Sequence, residues 1–440
     1  MTELEARLGT NATNSSLPPS ANPPDAPKPV VKAPSERSPG GQPGHAPQQR
    51  LRLPPERVQH VVRHLPPTCA RCDALLPWEP GPHDPAPTWH QIAELPVVAA
   101  VITEHQGHAR TCPDCGHVTH AALPAAIRAH GTGPRLTAVL AYLSGARHDS
   151  KRGVAEVAAT VFGVPTSLGT VAHLEAEVSA ALAPAHAEAV AAVQVAPVKY
   201  ADETGWKQAG RLCWLWTAVT TRVACFLIHA RRSGAALAAL LGEQIDGVVC
   251  SDRWRVYECL GVYQRQLCWA HLVRDFQALV DRGGPGQPIG EELLLFAEDV
   301  FHDWYRVRDG TLRWSSLRTT IDQQRPWLRD LLTRGSSCGC AKTEALCRNL
   351  LAWEPALWTF TRVEGVEPTN NAAERALRPA VLWRRRSFGC HSEGGCRFVE
   401  RMLTTVQTLR LQERGVVDYL EEAIAAHRQG SAAPKLLPTG

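Results

Sequence analysis

Pro197-Val-Lys-Tyr-Ala-Asp202-Glu-Thr-Gly-Trp206 is the stretch on which the reading of this chain turns. A short apolar run leads into an acid at Asp202 and stops at a glycine. Two more strand-like runs follow, Arg211 to Thr220 (RLCWLWTAVT) and Val223 to Ala230 (VACFLIHA). Next come a small Ala/Leu helix near Ala235 to Leu241 and a strand from Gly247 to Cys250 that ends on Ser251-Asp252. A helix-like piece and a fifth strand, Arg265 to Trp269, complete the set. Three consecutive β runs followed by alternating helix and strand predict a mixed sheet with helices on both faces.

That order is ribonuclease H-like, and it puts Asp202 and Asp252 at the ends of neighbouring strands, within reach of one metal ion. The predicted fold class is therefore α/β (mixed α+β, multidomain), with a ribonuclease H-like core over 195–281 and 367–430 interrupted by an all-helical insertion at 282–366. In the insertion Leu293, Phe296, Val300 and Trp304 recur at helical spacing, and Gly283-Gly284-Pro285-Gly286 marks its start. After it comes Glu367-Pro-Thr-Asn-Asn-Ala-Ala-Glu374-Arg-Ala-Leu-Arg-Pro379. Here Asn371 can cap a helix with Glu374 at its third position, close to a capping box. The other reading aims Glu374 at Asp202 and Asp252. Eight arginines against two acids between Arg375 and Arg410 suit a phosphate-facing side, with Arg375, Arg378, Arg384, Arg385 and Arg386 as the candidate DNA contacts. Residues 431–440 read as a tail.

Upstream, 123–194 is alanine-rich and helical in period. Val154 to Val171 reads as helix, glycine-containing turn and helix, with Ser167 or Thr166 as N-cap. It is open to two readings, a DNA-contacting helix-turn-helix or a helical connector. Residues 53–122 carry paired knuckles, Cys69-x2-Cys72 and Cys112-x2-Cys115, as a zinc ribbon would. Four thiolates close a tetrahedral structural site, with His83, His90, His105, His108 and His117 nearby as substitute ligands. Ten of the 34 prolines fall between Pro18 and Pro47, so 1–52 is expected to be a disordered tail.

The chain has 440 residues and a net charge of +4, which neither demands nor excludes a polyanionic partner. No apolar run is long enough to span a bilayer and no signal-peptide pattern opens the sequence, so no membrane partner and a cytoplasmic, nucleoid-associated location are expected. Fourteen cysteines then read as reduced thiols or metal ligands. Three carboxylates on rigid elements suit magnesium or manganese, which prefer hard oxygen ligands. In a two-metal site the ions handle the attacking and the leaving oxygen of a phosphodiester. Asp202 would bridge both ions, with Asp252 and Glu374 each holding one. Glu203 is not counted, because neighbouring strand residues face opposite ways.

The stretches ADETGW, SDRWRVY, RQLCWAHLVRDF and EPTNNAAERALRP resemble transposases of the insertion sequence 66 family. The likeness extends to NSSLPPS and GGQPGH in the tail, the CxxC pair and ELPVVAAVITEH before Cys112. It implies DDE chemistry, with Asp202, Asp252 and Glu374 as the three acids. Terminal inverted repeats would be nicked and the freed 3′-hydroxyl joined to target DNA, by a homo-oligomer acting beside small accessory proteins of the same element. Cys268-x2-His271 is similar to a Cys/Asp-x2-His signature that follows the second acid in several such enzymes. Arg274, Asn370 and Asn371 are grouped with it as active-site support; a core cysteine with a hydrogen-bonded histidine is the other reading. This sequence departs from the family where longer members carry a leucine-rich helix, reduced here to Leu4 to Leu8, and where Ala21-Asn22 replaces an acid. Two alternatives stand beside the transposase: a ribonuclease H-like nuclease without strand transfer, and a DNA-binding regulator with an inactive core.

Overall fold

The computed structural model describes residues 51–438. Most of the tail expected over 1–52, with its NSSLPPS and GGQPGH patches, lies outside them. The described residues fall into two compact units, one ending at Ala99 and the other starting at Ala100, and each is taken by itself. No single helix among them is long and apolar enough to cross a membrane.

The first unit has little regular structure beyond a 3-10 turn at Pro55–Arg57 and a bridge between Thr68 and Leu75 that flanks the first knuckle. In this knuckle the Cys69 amide donates to the Ala74 carbonyl, and the Cys69 carbonyl accepts from Asp73, both at 2.9 Å. Asp73 takes a positive φ of 59° to close the loop. The second unit opens with a hairpin, β1 (Ala109–Thr111) and β2 (Val118–His120), built around the other knuckle. There the Cys112 amide donates to His117 at 2.8 Å, the Cys112 carbonyl accepts from Gly116 at 2.9 Å, and Gly116 has φ 73°. The two loops match position for position.

Helices α1 (Pro134–Arg147), α2 (Lys151–Thr160), α3 (Leu168–Ala181) and α4 (Ala183–Val195) follow. Serine hydroxyls cap two of them: Ser150 accepts from Gly153, and Ser167 from Thr170 at 3.0 Å. Leu140, Val154, Ala158, Val171 and Leu174 form a small core joining the first three helices.

The main sheet runs β3 (Val198–Gln208), β4 (Arg211–Val219), β5 (Ala224–His229), β6 (Val248–Ser251) and β7 (Arg265–Leu267), in spatial order β5-β4-β3-β6-β7. The first three strands are antiparallel, and β6 and β7 add in parallel on the far side of β3. Ala209 and Gly210 make the two-residue turn between β3 and β4, both at positive φ as a hairpin matched to strand twist requires. Helix α5 (Gly234–Leu241) crosses from β5 to β6 and buries Ala236, Leu237, Leu240 and Leu241. β4 to β7 end within one or two residues of their sequence-read bounds, whereas β3 does not stop at Gly205 but runs on to Gln208, because its second half pairs with β4; the chain is a mixed α/β protein.

Between β7 and Glu374 the chain is helical: α6 (Trp269–Arg282), α7 (Gln287–Arg308), α8 (Trp314–Gly335), α9 (Ala341–Ala352) and two single turns ending at Arg362. Leu293, Phe296, Ala297 and Val300 are buried on one face of α7, as their spacing requires. Trp269 packs on Trp358 at 5.2 Å and on Phe296 at 6.0 Å between ring centres, seating these helices on the sheet domain.

Helices α10 (Asn371–Ser387), α11 (Glu393–Leu411) and α12 (Val416–Gln429) finish the unit. Helix α11 lies along the outer edge of β5. Glu400 accepts the Ile228 amide at 2.5 Å, Thr404 accepts Phe226 at 3.0 Å, and Thr408 accepts Ala224 at 3.1 Å and donates back to its carbonyl at 3.0 Å. Four helical residues rise about 6 Å and two strand residues about 6.7 Å, so every fourth side chain meets every second amide. The exposed ladder of an edge strand is thereby satisfied by side chains.

Candidate active site

The parallel ladder between β3 and β6 pairs Val198 with Val248, Lys199 with Val249 and Tyr200 with Cys250. Asp202 and Asp252 each stand two residues beyond the last pair and so level with one another, Asp202 within β3 and Asp252 just past β6. Neighbouring strands run about 4.8 Å apart. The Asp202 carboxyl is set deep and held well above the usual carboxylate range, first by burial and then by the charges of Glu203, Asp252 and Glu374. One oxygen of Asp202 accepts the Glu203 amide at 2.9 Å, and Asp252 accepts the Trp254 amide at 2.9 Å.

The segment from Gly365 to Asn370 is strapped over this end of the sheet. Tyr200 donates its hydroxyl to the Gly365 carbonyl at 3.2 Å and accepts the Glu367 amide at 3.0 Å. The Trp269 amide donates to Pro368 at 2.9 Å. Asn370 is fully buried; its side-chain amide donates to the Ala201 carbonyl at 2.8 Å, and its backbone amide to the Cys268 sulfur at 3.1 Å. Asn370, not Asn371, stands at the cap position, and its side chain makes no capping bond. The capping box does not form because that side chain is spent on β3. Asn371 is the first helical residue and is half-buried.

Glu374 lies on the first turn of α10. Its Oε1 is 3.4 Å from the Arg274 guanidinium and 3.5 Å from His271 Nδ1. Burial lowers the His271 pKa to about 3, with the charges of Arg274 and Arg253 adding, so its contact with Glu374 is between a neutral ring and a carboxylate. Burial pushes the Cys268 thiol up to about 12. Cys268, His271 and Glu374 bring one ligand atom each to within 4.8 Å of one another, the one such trio among the described residues. The trio Asp202, Asp252 and Glu374 is not drawn together to that degree.

Glu203 turns to the other face, as strand alternation requires. It takes a hydrogen bond from Arg232 Nε at 2.9 Å and one from the Tyr257 hydroxyl at 2.8 Å. Arg232 lies 3.8 Å over the Trp254 ring and 4.8 Å over Trp214. Buried Arg265, its pKa lowered to about 10 by desolvation, donates to the Asp252 carbonyl at 2.7 Å. Arg253 donates to Asp275 at 2.9 Å. These partners fix the turn carrying Asp252 from behind. Nothing in the sequence marks them, because Arg232 is 29 residues from Glu203 and belongs to no motif.

Of the candidate DNA contacts, Arg375, Arg378, Arg385 and Arg386 are exposed. Arg384 is tied to β3 through Thr204 Oγ1 at 3.1 Å and the Gly205 carbonyl. The cysteines of each knuckle are free thiols. Amides two and three residues on lower the pKa of Cys69, and equivalent amides do the same for Cys112.

The family model described as Transposase IS66 family matches residues 131–397, which takes in Asp202, Asp252, Cys268, His271 and Glu374. The chain belongs to this family. Two curated proteins of Sinorhizobium fredii are similar to this transposase-family chain, and both are described only as uncharacterized. Protein y4qI is 27% identical over 180 residues, 38% of this chain and 32% of its own length. Protein y4hP is 26% identical over 412 residues, 83% of this chain and 72% of its own. The chain thus spans about a third of the first relative and most of the second.

Proposed function

We propose that this chain is a DNA transposase with a ribonuclease H-like core, using Asp202, Asp252 and Glu374 as its three acids. The observation that carries the reading is the parallel register that levels Asp202 with Asp252, on a sheet whose three antiparallel strands are extended by two parallel ones. The insertion between β7 and α10 then separates the second acid from the third, and the strap from Gly365 to Asn370 brings Glu374 back to the same end of the sheet.

The residues suit magnesium or manganese: all three offer hard oxygens, and after burial it is crowded negative charge that raises Asp202, which a dication relieves. When bound, such ions would supply an activated attacking oxygen and neutralise the leaving one. Asp202 would hold them from within β3 and Asp252 from the end of β6, and Glu374 would leave Arg274 to join the pair. Arg265 and Arg253 keep the Asp252 turn in place, and Asn370 keeps the first turn of α10 against β3. Exposed Arg375, Arg378, Arg385 and Arg386 would take DNA phosphates, whereas Arg384 positions α10 on the sheet.

Cys69, Cys72, Cys112 and Cys115 are the ligands we assign to structural zinc, on the strength of their paired spacing, the two matched loops and the amides that favour the thiolates of Cys69 and Cys112. The helical segment over α1 to α4, with the exposed start of α3, is the candidate second DNA contact. Element ends and target DNA are the proposed substrates, bound by a homo-oligomer beside accessory proteins of the element, in the cytoplasm.

The test is metal-dependent cleavage of DNA carrying the element's own ends, wild type against Asp252→Asn. Cleavage by wild type alone, leaving a 3′-hydroxyl at the element end, is the expected result. Equal cleavage by both would remove Asp252 from the chemistry. Cleavage without joining to target DNA would reduce the function to a nuclease.

A further inference from the structure

Cys268 is the extended cap residue of α6 and His271 lies on the first turn of that helix, and Glu374 meets them from the first turn of α10. We propose that Cys268, His271 and Glu374 form a binding site for a borderline transition-metal dication of the zinc class, distinct from the hard-oxygen pair Asp202 and Asp252. The ligand atoms lie within 4.8 Å of one another. Sulfur, imidazole nitrogen and one carboxylate make a set that zinc or cobalt accepts and magnesium does not, with a fourth position left open.

A second observation points the same way. His271 is nine-tenths buried, yet its Nδ1 has no hydrogen-bond partner and faces the Glu374 carboxylate at 3.5 Å. A histidine serving only the core would pair that nitrogen, since an orphaned buried polar atom costs about 1–3 kcal/mol. The sulfur is aimed in the same manner: the Asn370 amide donates to it at 3.1 Å, fixing its direction. Arg274 takes Oε1 of Glu374 at 3.4 Å, and among the described residues no hydrogen bond engages Oε2.

An ion here fastens the first turn of α10 to the first turn of α6. It also draws on the carboxylate that the acid cluster uses, so zinc at this site withholds Glu374 from cleavage. That consequence rests on the three-acid reading of the active site; the binding itself does not.

The test is cobalt titration of the full-length protein followed by absorption spectroscopy, wild type against Cys268→Ser and His271→Ala. Serine at 268 keeps an acceptor for the Asn370 amide, and matched thermal melts verify that each variant folds. The expected result is one fewer cobalt per chain in Cys268→Ser, with a sulfur-to-cobalt charge-transfer band in the wild-type-minus-variant spectrum and a shifted ligand-field band in His271→Ala. Identical stoichiometry and spectra for wild type and Cys268→Ser would overturn the site. In a second arm, with each protein compared with its own zinc-free rate, micromolar zinc is expected to lower magnesium-dependent cleavage by wild type several-fold and to leave the ratio for Cys268→Ser near one. Cobalt binding at Cys268 with zinc-insensitive cleavage would keep the site and refute the sharing of Glu374.

Discussion

Replacing Glu400 by glutamine should change how the protein's stability depends on pH, in a direction the structure fixes. Glu400 is buried, and burial raises its pKa from the usual 4.5 to about 7; the Ile228 amide at 2.5 Å and Arg397 at 2.9 Å oppose that rise without cancelling it. Below the unfolded value the carboxyl is protonated in both states, so it adds no pH dependence. Between the two values the unfolded chain releases its proton while the folded chain keeps it, and stability falls as pH rises. Above the folded value the loss is complete. At about 1.4 kcal/mol per unit of pKa, the fall amounts to roughly 3 kcal/mol across the window. Glutamine keeps an acceptor for Ile228 and cannot titrate. Asp202, Glu203 and Asp275 are also raised, so only the difference between the two proteins isolates Glu400. The assay is urea unfolding followed by tryptophan fluorescence at about pH 5 and about pH 8. Wild type should lose about 3 kcal/mol relative to Glu400→Gln between them. Parallel pH profiles would refute the argument, and a relative gain by wild type would mean the amide and Arg397 outweigh burial.

Other outcomes follow from the site. Asn370→Ala removes a fully buried donor to the Ala201 carbonyl, so chemical unfolding should show a loss of about 1–3 kcal/mol, and cleavage should fall while DNA-end binding persists. Alanine at Arg375, Arg378 and Arg385 together should lower the slope of DNA affinity against salt by up to about 3, read by fluorescence anisotropy at several salt concentrations. Arg384→Ala should instead lower the melting temperature, because that side chain is tied to β3. Cys112→Ser should release zinc from the purified protein, and elemental analysis showing none in the folded wild type would retire the knuckle assignment.

β4, β5 and β6 were legible because each is a largely apolar run, whereas β3 and β7 carry charged and polar residues and owe their extent to pairing with β4 and β6. Asp252 follows β6 directly, while Asp202 lies inside β3, level with it by the parallel register. Ser167 was legible as a cap for the local reason that it precedes a helical period. Asn370 was not: local chemistry favours an asparagine cap at 371, and only the tertiary fold spends the Asn370 side chain on Ala201. Arg384 reads in sequence like its exposed neighbours and differs only in meeting β3. Glu400, Thr404 and Thr408 look like ordinary polar helix positions, because their partners lie 172 to 184 residues earlier. The matched backbone of the two knuckles is likewise beyond spacing alone, which gives the cysteines but not the amides around them.

The cover on β5 has a consequence for the order of synthesis. Ile228 leaves the ribosome 172 residues before Glu400, a lag of about 10–30 s at ordinary translation rates. Through that interval β5 presents a bare edge, and for most of it Glu374 has yet to be made. A product terminated before α10 would lack Glu374 and be open to strand addition by its neighbours. Glu374 and then α11 emerge in close succession, so the carboxylate on α10 and the cover on β5 are supplied together, late in the synthesis of this unit.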